Sequence, residues 1–425
     1  RLCVLYGSQT GTAEEVAWDL AREGRGKGFA CGDPACLDDL DLQGLCAVRH
    51  AVLVVSTTGQ GDAPLNMRRH WQALLSASLP GGLLRGLNFA VFGLGDSHYR
   101  EFNFAARKLH ARLKQLGATP FFRLGLGDDQ HDFGFEQELD PWSEGMWQAL
   151  AALCPPSLPA DAARAPECRY EVEVVPAVPG APEAPGPGGG GQAFEARVVA
   201  NRSLCSEAHA EAEQDVRSVR LQAPPPARYE AGDVAVVWPR TEPALVRRFV
   251  EETLELDLGT CVRVRPAPAR GGAGASATGA SIFPEAPLTL RDVFSSYVDI
   301  NAVPTRYFFE VLAHYTSDEL HGAKLREFAG RSLEAKDELY EYCKRERRSA
   351  AEVMWDFWTA RPPLGALLSA LPPMRPRRYS IASCPRWYDP GAAAALAARF
   401  WLGYSRPCAL AWCPRWRVEA TGTAV

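Results

Sequence analysis

Along the first 150 residues, short apolar runs recur at Leu2 to Tyr6, Ala51 to Val55, Phe89 to Phe92 and Phe121 to Leu124. Each run leads into a loop and then into apolar residues at helical spacing, as in "VLYGSQTGTAEEVAWDLARE". Short apolar runs alternating with amphipathic stretches predict an α/β domain, a doubly wound parallel sheet covered by helices on both faces. In such a sheet ligands gather beyond the carboxyl ends of the strands, where the strand order reverses.

The pattern changes after residue 153. "CPPSLPADAARAPE" reads as a Pro/Ala linker over 154–167, and "PAVPGAPEAPGPGGGGQ" as a low-complexity loop that cannot build a core. Between them "RYEVEVV" alternates like a strand, which makes the Gly/Pro segment an insertion rather than a boundary. Further strands are predicted at Phe194 to Val199, Val216 to Leu221 and Val234 to Trp238. From 242 to 365 the pattern turns largely helical, for instance "VPTRYFFEVLAHYTSDELHGAKLREFAG", and "MRPRRYSIAS" is a strand again. The order predicts a domain at 1–153, a linker, and a β-barrel at 168–241 and 366–425 interrupted by an α-helical insertion.

Composition narrows the class. Of 425 residues 23% are charged and 47% apolar, with a net charge of -5, as expected for a soluble protein. The slight acidic excess gives no case for nucleic acid, which asks for a concentrated basic face. No window reaches the 18 or so consecutive apolar residues of a membrane helix. The 12 cysteines are scattered without CxxC pairs, Cys408 and Cys413 being the closest late pair, so reduced thiols of a cytosolic protein are expected and no metal site. Arg1 leads straight into a strand, which implies a start further upstream.

Each N-terminal strand ends in a conspicuous loop. The first, "GSQTGTAEE", offers the hydroxyls of Ser8, Thr10 and Thr12 and the positive end of the following helix, yet holds no lysine or arginine. A nucleoside triphosphate loop would carry GxxxxGK[ST], so a single terminal phosphate bound by neutral donors fits better. The plain alternative is a capped strand-to-helix turn. After the second strand comes "VVSTTGQGDAP", where Gly59 and Gly61 beside Thr57 and Thr58 suit close approach to a planar ring. The third ends in "FGLGDSHYREFN", with Gly95 for close approach, Tyr99 for stacking, and Asp96 and Asn103 as polar anchors. The fourth ends in "LGLGDDQHDFG", whose Asp128 and Asp129 are either solvated loop charges or acids facing the site.

Four such loops in this order resemble the flavodoxin-like, FMN-binding domain of the diflavin reductases. The resemblance implies that Ser8, Gln9, Thr10, Gly11, Thr12 and Ala13 hold the FMN phosphate. It implies that Ser56, Thr57, Thr58 and Gly59 line the flavin. Its other side would be covered by Leu94, Gly95, Asp96, Ser97, His98, Tyr99, Arg100, Glu101, Phe102 and Asn103, with Tyr99 stacked on the ring and Asp129 nearby. Cytochrome P450 reductases carry an aromatic residue where this chain has Thr58, so one ring face would be less covered here.

The likeness continues in "YEAGDVAVVWP", in "CKRERRSAAEVMWDF", which looks like the family's helix-borne arginine site, and in "RPRRYSIAS", which matches the RxYS motif of the ferredoxin-reductase-like barrel that holds FAD. It implies that Arg377 and Arg378 supply charge near the FAD pyrophosphate, that Tyr379 lies along the isoalloxazine and Ser380 at its edge, and that Arg347 is a second phosphate contact. Motifs such as "NMRRHW" and "LGDDQHDFG" followed by "DPW" look closest to the NADPH-dependent branch that serves cytosolic iron-sulfur assembly. In that branch NADPH reduces FAD, then FMN, then an anamorsin-like iron-sulfur protein in the cytoplasm. The family's Gly-x-Cys-Ser stretch and NADPH domain are replaced by "AARFWLGYSRPCALAWCPRWRVEATGTAV", which reads as a divergent, truncated end. Two other functions stay open at this point, a flavin-binding interaction module without NADPH reductase activity and a cytochrome P450 reductase-like enzyme.

Overall fold

The computed structural model describes residues 1–159, 165–176, 193–206, 214–222, 230, 233–268, 281–381, 395–403 and 415–421, the last two stretches by their backbone. The Gly/Pro segment after residue 176, the stretch that follows RxYS, and Cys408 and Cys413 lie outside them.

The N-terminal sheet is built from β1 (Leu2–Gly7), β2 (Ala35–Cys36), β3 (His50–Ser56), β4 (Asn88–Gly95), β5 (Thr119–Pro120) and β6 (Gly125–Asp128). Its order is β2-β1-β3-β4-β5, with β6 also on β4 and every pair parallel. This is the flavodoxin-like order, whose reversal point lies between β1 and β3. The apolar runs are unbroken because both faces are covered. Val52, Val54, Ala90 and Phe92 face one core with helices α1 (Thr12–Gly26) and α5 (Glu136–Leu153). Leu53, Val55, Phe89 and Val91 face the other, which also buries residues of α3 (Arg68–Leu75) and α4 (Phe104–Gln115); the short α2 (Leu42–Ala47) precedes β3.

The fourth run behaves differently from its expected strand. Residues 121–124 break the edge strand into β5 and β6, and the ladder resumes at Gly125. Space decides this: a Cβ at Gly125 would press on Phe92 and come within 2.7 Å of Trp142, and one at Gly127 would lie 3.0 Å from Phe92. Only glycine passes beneath those rings, so Phe121 and Phe122 step aside and pack, half-buried, at the edge of the core.

The second half departs from expectation in its first strand. β7 (Tyr170–Val175) pairs not with the barrel strands but with β11 (Cys261–Pro266), which also takes β12 (Leu288–Thr289). The "RYEVEVV" alternation was legible, but its partner lies inside the 242–365 segment. The barrel-type sheet runs β13-β10-β15-β8-β9-β14, from β8 (Ala193–Ser203), β9 (Gln214–Gln222), β10 (Val234–Trp238), β13 (Arg377–Ser380), β14 (Ala395–Gly403) and β15 (Arg415–Thr421). The divergent tail thus supplies two strands of this sheet. "RWRVEAT" does alternate, and β15 takes the central place between β10 and β8. Against the three-stranded sheet a helical core buries Phe249, Phe294, Phe308, Phe309 and Phe328 completely. Among the described residues no helix is long and apolar enough to cross a membrane.

The two halves meet along α1 and α5, acids on one side and bases on the other. Arg331 reaches Glu23 at 3.0 Å, Lys336 reaches Asp140 at 2.8 Å, and Lys344 reaches Glu136 at 2.7 Å. The guanidinium of Arg22 lies 3.5 Å from the ring centre of Tyr307, and that of Arg169 lies 4.4 Å from Trp18.

Candidate functional site

Parallel register brings the loops together. Gly7 is level with Val55, Ser56 with Leu94, and Gly95 with Asp128, so four strands release their loops at one edge of the sheet. Two bonds extend the ladder beyond the strands: Thr57 N–H donates to Leu94 C=O at 2.9 Å and Asp129 N–H to Gly95 C=O at 2.9 Å.

The first loop bends tightly ahead of α1. Gly11 has a φ of +106°, and its N–H donates to Ser8 Oγ at 2.9 Å. Buried Ser8 is held in turn by its N–H on Asn66 Oδ1 at 2.7 Å. Gln9 braces the loop from outside, its Oε1 accepting Leu65 N–H at 3.1 Å. Thr12 and Ala13 open α1, where N–H groups have no carbonyl one turn back to serve as acceptor and face outward with the positive end of the helix dipole. Exposed Thr10 and half-buried Thr12 add hydroxyls at the rim. Bent backbone, glycine at the bend and neutral donors fit a phosphate monoester.

The second and third loops pack on each other. Thr58 and Asp62 exchange backbone bonds of 3.1 and 2.7 Å, closing a tight turn around Gly59, whose φ is +52°. Gly61 lies against Glu101 and Phe104, where a Cβ would come within 2.9 Å of Glu101. Thr57 Oγ1 accepts Ala105 N–H at 3.4 Å, so it braces the start of α4. Tyr99 stands 65% exposed, a ring free to lie on a planar ligand. Ser97, His98 and Arg100 are exposed beside it, His98 turned toward Asp96 at 3.5 Å, while Glu101 and Phe102 are half-buried.

Asn103 is placed beneath this wall rather than on it. It is fully buried with a φ of +56°, and its Nδ2 donates to Gly127 C=O at 3.0 Å. Asp128, not the exposed Asp129, anchors the fourth loop: it accepts Ser97 N–H at 2.9 Å and Gln130 N–H at 3.1 Å. Desolvation pushes its carboxyl upward, but these hydrogen bonds outweigh it and hold the group below the usual carboxylate range.

In the second half, β13 carries Arg377, Arg378, Tyr379 and Ser380 along β10, with the three other than Tyr379 exposed. Arg377 lies 3.8 Å from Asp299 and donates to Arg375 C=O at 3.3 Å. Exposed guanidinium groups beside an edge strand suit a pyrophosphate. Arg347 sits in a turn with a φ of +51°, not on a helix; Ser349 caps the helix that follows. Of this segment it is Arg375, two positions before Arg377, that meets the first loop: it lies over Gly11 and binds Glu14 at 3.1 Å.

The flavodoxin family profile matches residues 4–142 and the FAD binding domain profile residues 190–390. The chain is 36% identical to the NADPH-dependent diflavin oxidoreductase 1 of Bos taurus over 403 residues, covering 91% of this chain and 65% of that protein. The Danio rerio protein of that name is 37% identical over 398 residues, 89% of this chain and 64% of the relative. The Arabidopsis thaliana one is 32% identical over 417 residues, 91% and 64%. The chain is similar to these diflavin oxidoreductases over about nine tenths of its own length. It spans a little under two thirds of the length of these relatives. Its two domains are of the flavodoxin and FAD-binding kinds.

Asn66, Asp128 as anchor, and Arg375 were not singled out from the sequence. Asn66 and Arg375 act 58 and 361 positions away from their partners, and no local spacing signals such contacts.

Proposed function

We propose that this chain is the flavin-bearing part of an electron-transfer oxidoreductase that draws on NADPH and delivers electrons to an anamorsin-like iron-sulfur protein in the cytoplasm. The observation that carries the two-flavin reading is the approach of the two clusters: Arg375, beside the RxYS strand, lies on the glycine of the phosphate loop. Bound FAD and FMN would supply hydride acceptance and single-electron transfer, which side chains do not provide.

The residues serve those groups in separable ways. Ser8, Thr10, Thr12 and the start of α1 bind a phosphate through neutral donors. Tyr99 shields one ring face, and the tight turn at Thr58 and Gly59 brings the backbone close to the ring edge. Arg377 and Arg378 carry the charge that a pyrophosphate requires, and Tyr379 lies between them and Ser380 as a flat apolar support. The acceptor and the cellular site rest on the motif resemblance alone, and the use of NADPH on that resemblance and the relatives' name.

The test is the flavin content of the purified chain, released by acid and separated into FMN and FAD, followed by stopped-flow mixing with NADPH. One equivalent of FMN is expected, with FAD held more weakly because the family's Gly-x-Cys-Ser stretch is replaced. A chain that retains neither would end the electron-transfer reading. Two flavins that NADPH fails to bleach would leave the interaction-module function in its place.

A further inference from the structure

We propose that Arg375 is the cation of the FMN phosphate site, supplied to the N-terminal domain by the second half of the chain. This rests on the flavin reading above and goes beyond it, because the loop itself carries no basic residue.

Three observations support it. First, the guanidinium covers Gly11: a Cβ built there would overlap the Nη2 and Cζ atoms and come to 2.5 Å from Nε. Glycine at this position therefore serves both its left-handed φ and the space the guanidinium fills. Second, Arg375 is held in place. Met374 N–H donates to Tyr297 C=O at 2.7 Å, Pro376 fixes the backbone that follows, and Arg377 donates to Arg375 C=O. Third, the electrostatics of the loop call for a cation. The first turn of α1 carries Glu14 and Glu15, favourable to the helix dipole but repulsive to an anion at its N-terminus. Arg375 binds Glu14 at 3.1 Å, and its charge opposes the rise that burial and Asp19 impose on Glu15. The side chain is 30% exposed, so a dissolved anion can reach its guanidinium beside Glu14.

If Arg375 binds the phosphate, FMN binding and docking of the two halves are linked, since the same residue reports to both. A bound phosphate then strengthens the docked arrangement, and undocking loosens the cofactor.

The experiment is a fluorescence-quenching titration of the flavin-stripped full chain with FMN and, separately, with riboflavin, which lacks the phosphate. Arg375→Gln should weaken FMN about tenfold, as for loss of one charge-assisted hydrogen bond, and leave riboflavin unchanged. Arg375→Lys should recover part of the loss. Glu14→Gln discriminates further: it frees Arg375 and removes a negative charge, so FMN should bind several-fold more tightly. If Arg375 and Glu14 form only a docking pair, both variants weaken FMN or neither does, and the proposal fails. Equal loss for FMN and riboflavin would also overturn it. Wild-type chain that binds neither flavin overturns the flavin reading itself, whereas tight FMN binding unaffected by Arg375→Gln overturns this inference alone.

Discussion

Asp140 on α5 accepts two hydrogen bonds from Arg306, at 3.0 and 2.8 Å, across 166 positions of chain. The pair is nearly buried, with side-chain exposures of 10% and 13%, and Lys336 and Glu136 flank it. It ties the flavodoxin-like domain to the helical segment between the second domain's strands.

Burial opposes the charge on Asp140, but Arg306 and Lys336 more than offset it and hold the carboxyl below its ordinary range. A depressed carboxylate contributes stability that is present above its unfolded value, about 3.9, and is lost as pH falls through the folded one. Asp140→Asn should lower the unfolding free energy at neutral pH by about 2–3 kcal/mol, less than a fully orphaned buried pair because Glu136 stays near Arg306. Urea unfolding at pH 7 and pH 3 checks this; a variant that keeps the wild-type acid sensitivity would contradict it.

Tyr99→Ala separates binding from stability. The ring is exposed, so the melting temperature should move little, within about 0.5 kcal/mol in free energy. Loss of stacking should weaken FMN by about 1 kcal/mol, or roughly fivefold. Thermal melts beside an FMN titration decide, and unchanged affinity would remove Tyr99 from the site.

Asn103 combines a left-handed backbone with a buried bond to Gly127. Asn103→Ala should destabilise the domain by about 2–3 kcal/mol, the sum of dihedral strain and a lost hydrogen bond. Asn103→Gly should recover only the dihedral share, about 1 kcal/mol. Chemical denaturation of both variants tests the division; identical costs would refute it.

His70 is buried, with Nδ1 at 2.7 Å from Leu40 C=O. Desolvation lowers its pKa below the ordinary 6.5, outweighing the help of that carbonyl and of Asp38. The unfolded chain therefore binds the proton first, so stability present above about pH 6.5 falls as the pH drops toward the folded value. His110 is lowered in the same direction by burial and Lys114. The expected outcome is a melting temperature that declines between pH 7 and 5, and less steeply in His70→Gln. A flat profile in the wild type would refute the assignment.

The apolar runs and the loop compositions were enough for three of the six strands of the flavodoxin-like sheet and for all four loops, because a buried parallel strand must be apolar throughout and its end must turn. The run at 121–124 misled for a local reason with a distant cause: the strand continues at glycines only because Phe92 and Trp142 occupy the space above them. "RYEVEVV" was legible as a strand but not as the partner of Cys261–Pro266, since alternation gives a face and not a neighbour. The tail's strands were overlooked although "RWRVEAT" has period two, because strand length and alternation alone do not say whether a sheet has a place for them.

The sequence by itself determined the two flavin-type domains, the order of the loops and the absence of a basic residue from the phosphate loop. Tertiary structure alone decided that Asp128 rather than Asp129 anchors its loop, that Asn103 works from beneath, and that Asp140 meets Arg306. It also decided that the Arg375 guanidinium lies over Gly11 of the first loop and binds Glu14, 361 positions away. The reason is physical: spacing along a chain encodes the period of an element and the chemistry of its loop, whereas contact between charges depends on how whole elements dock.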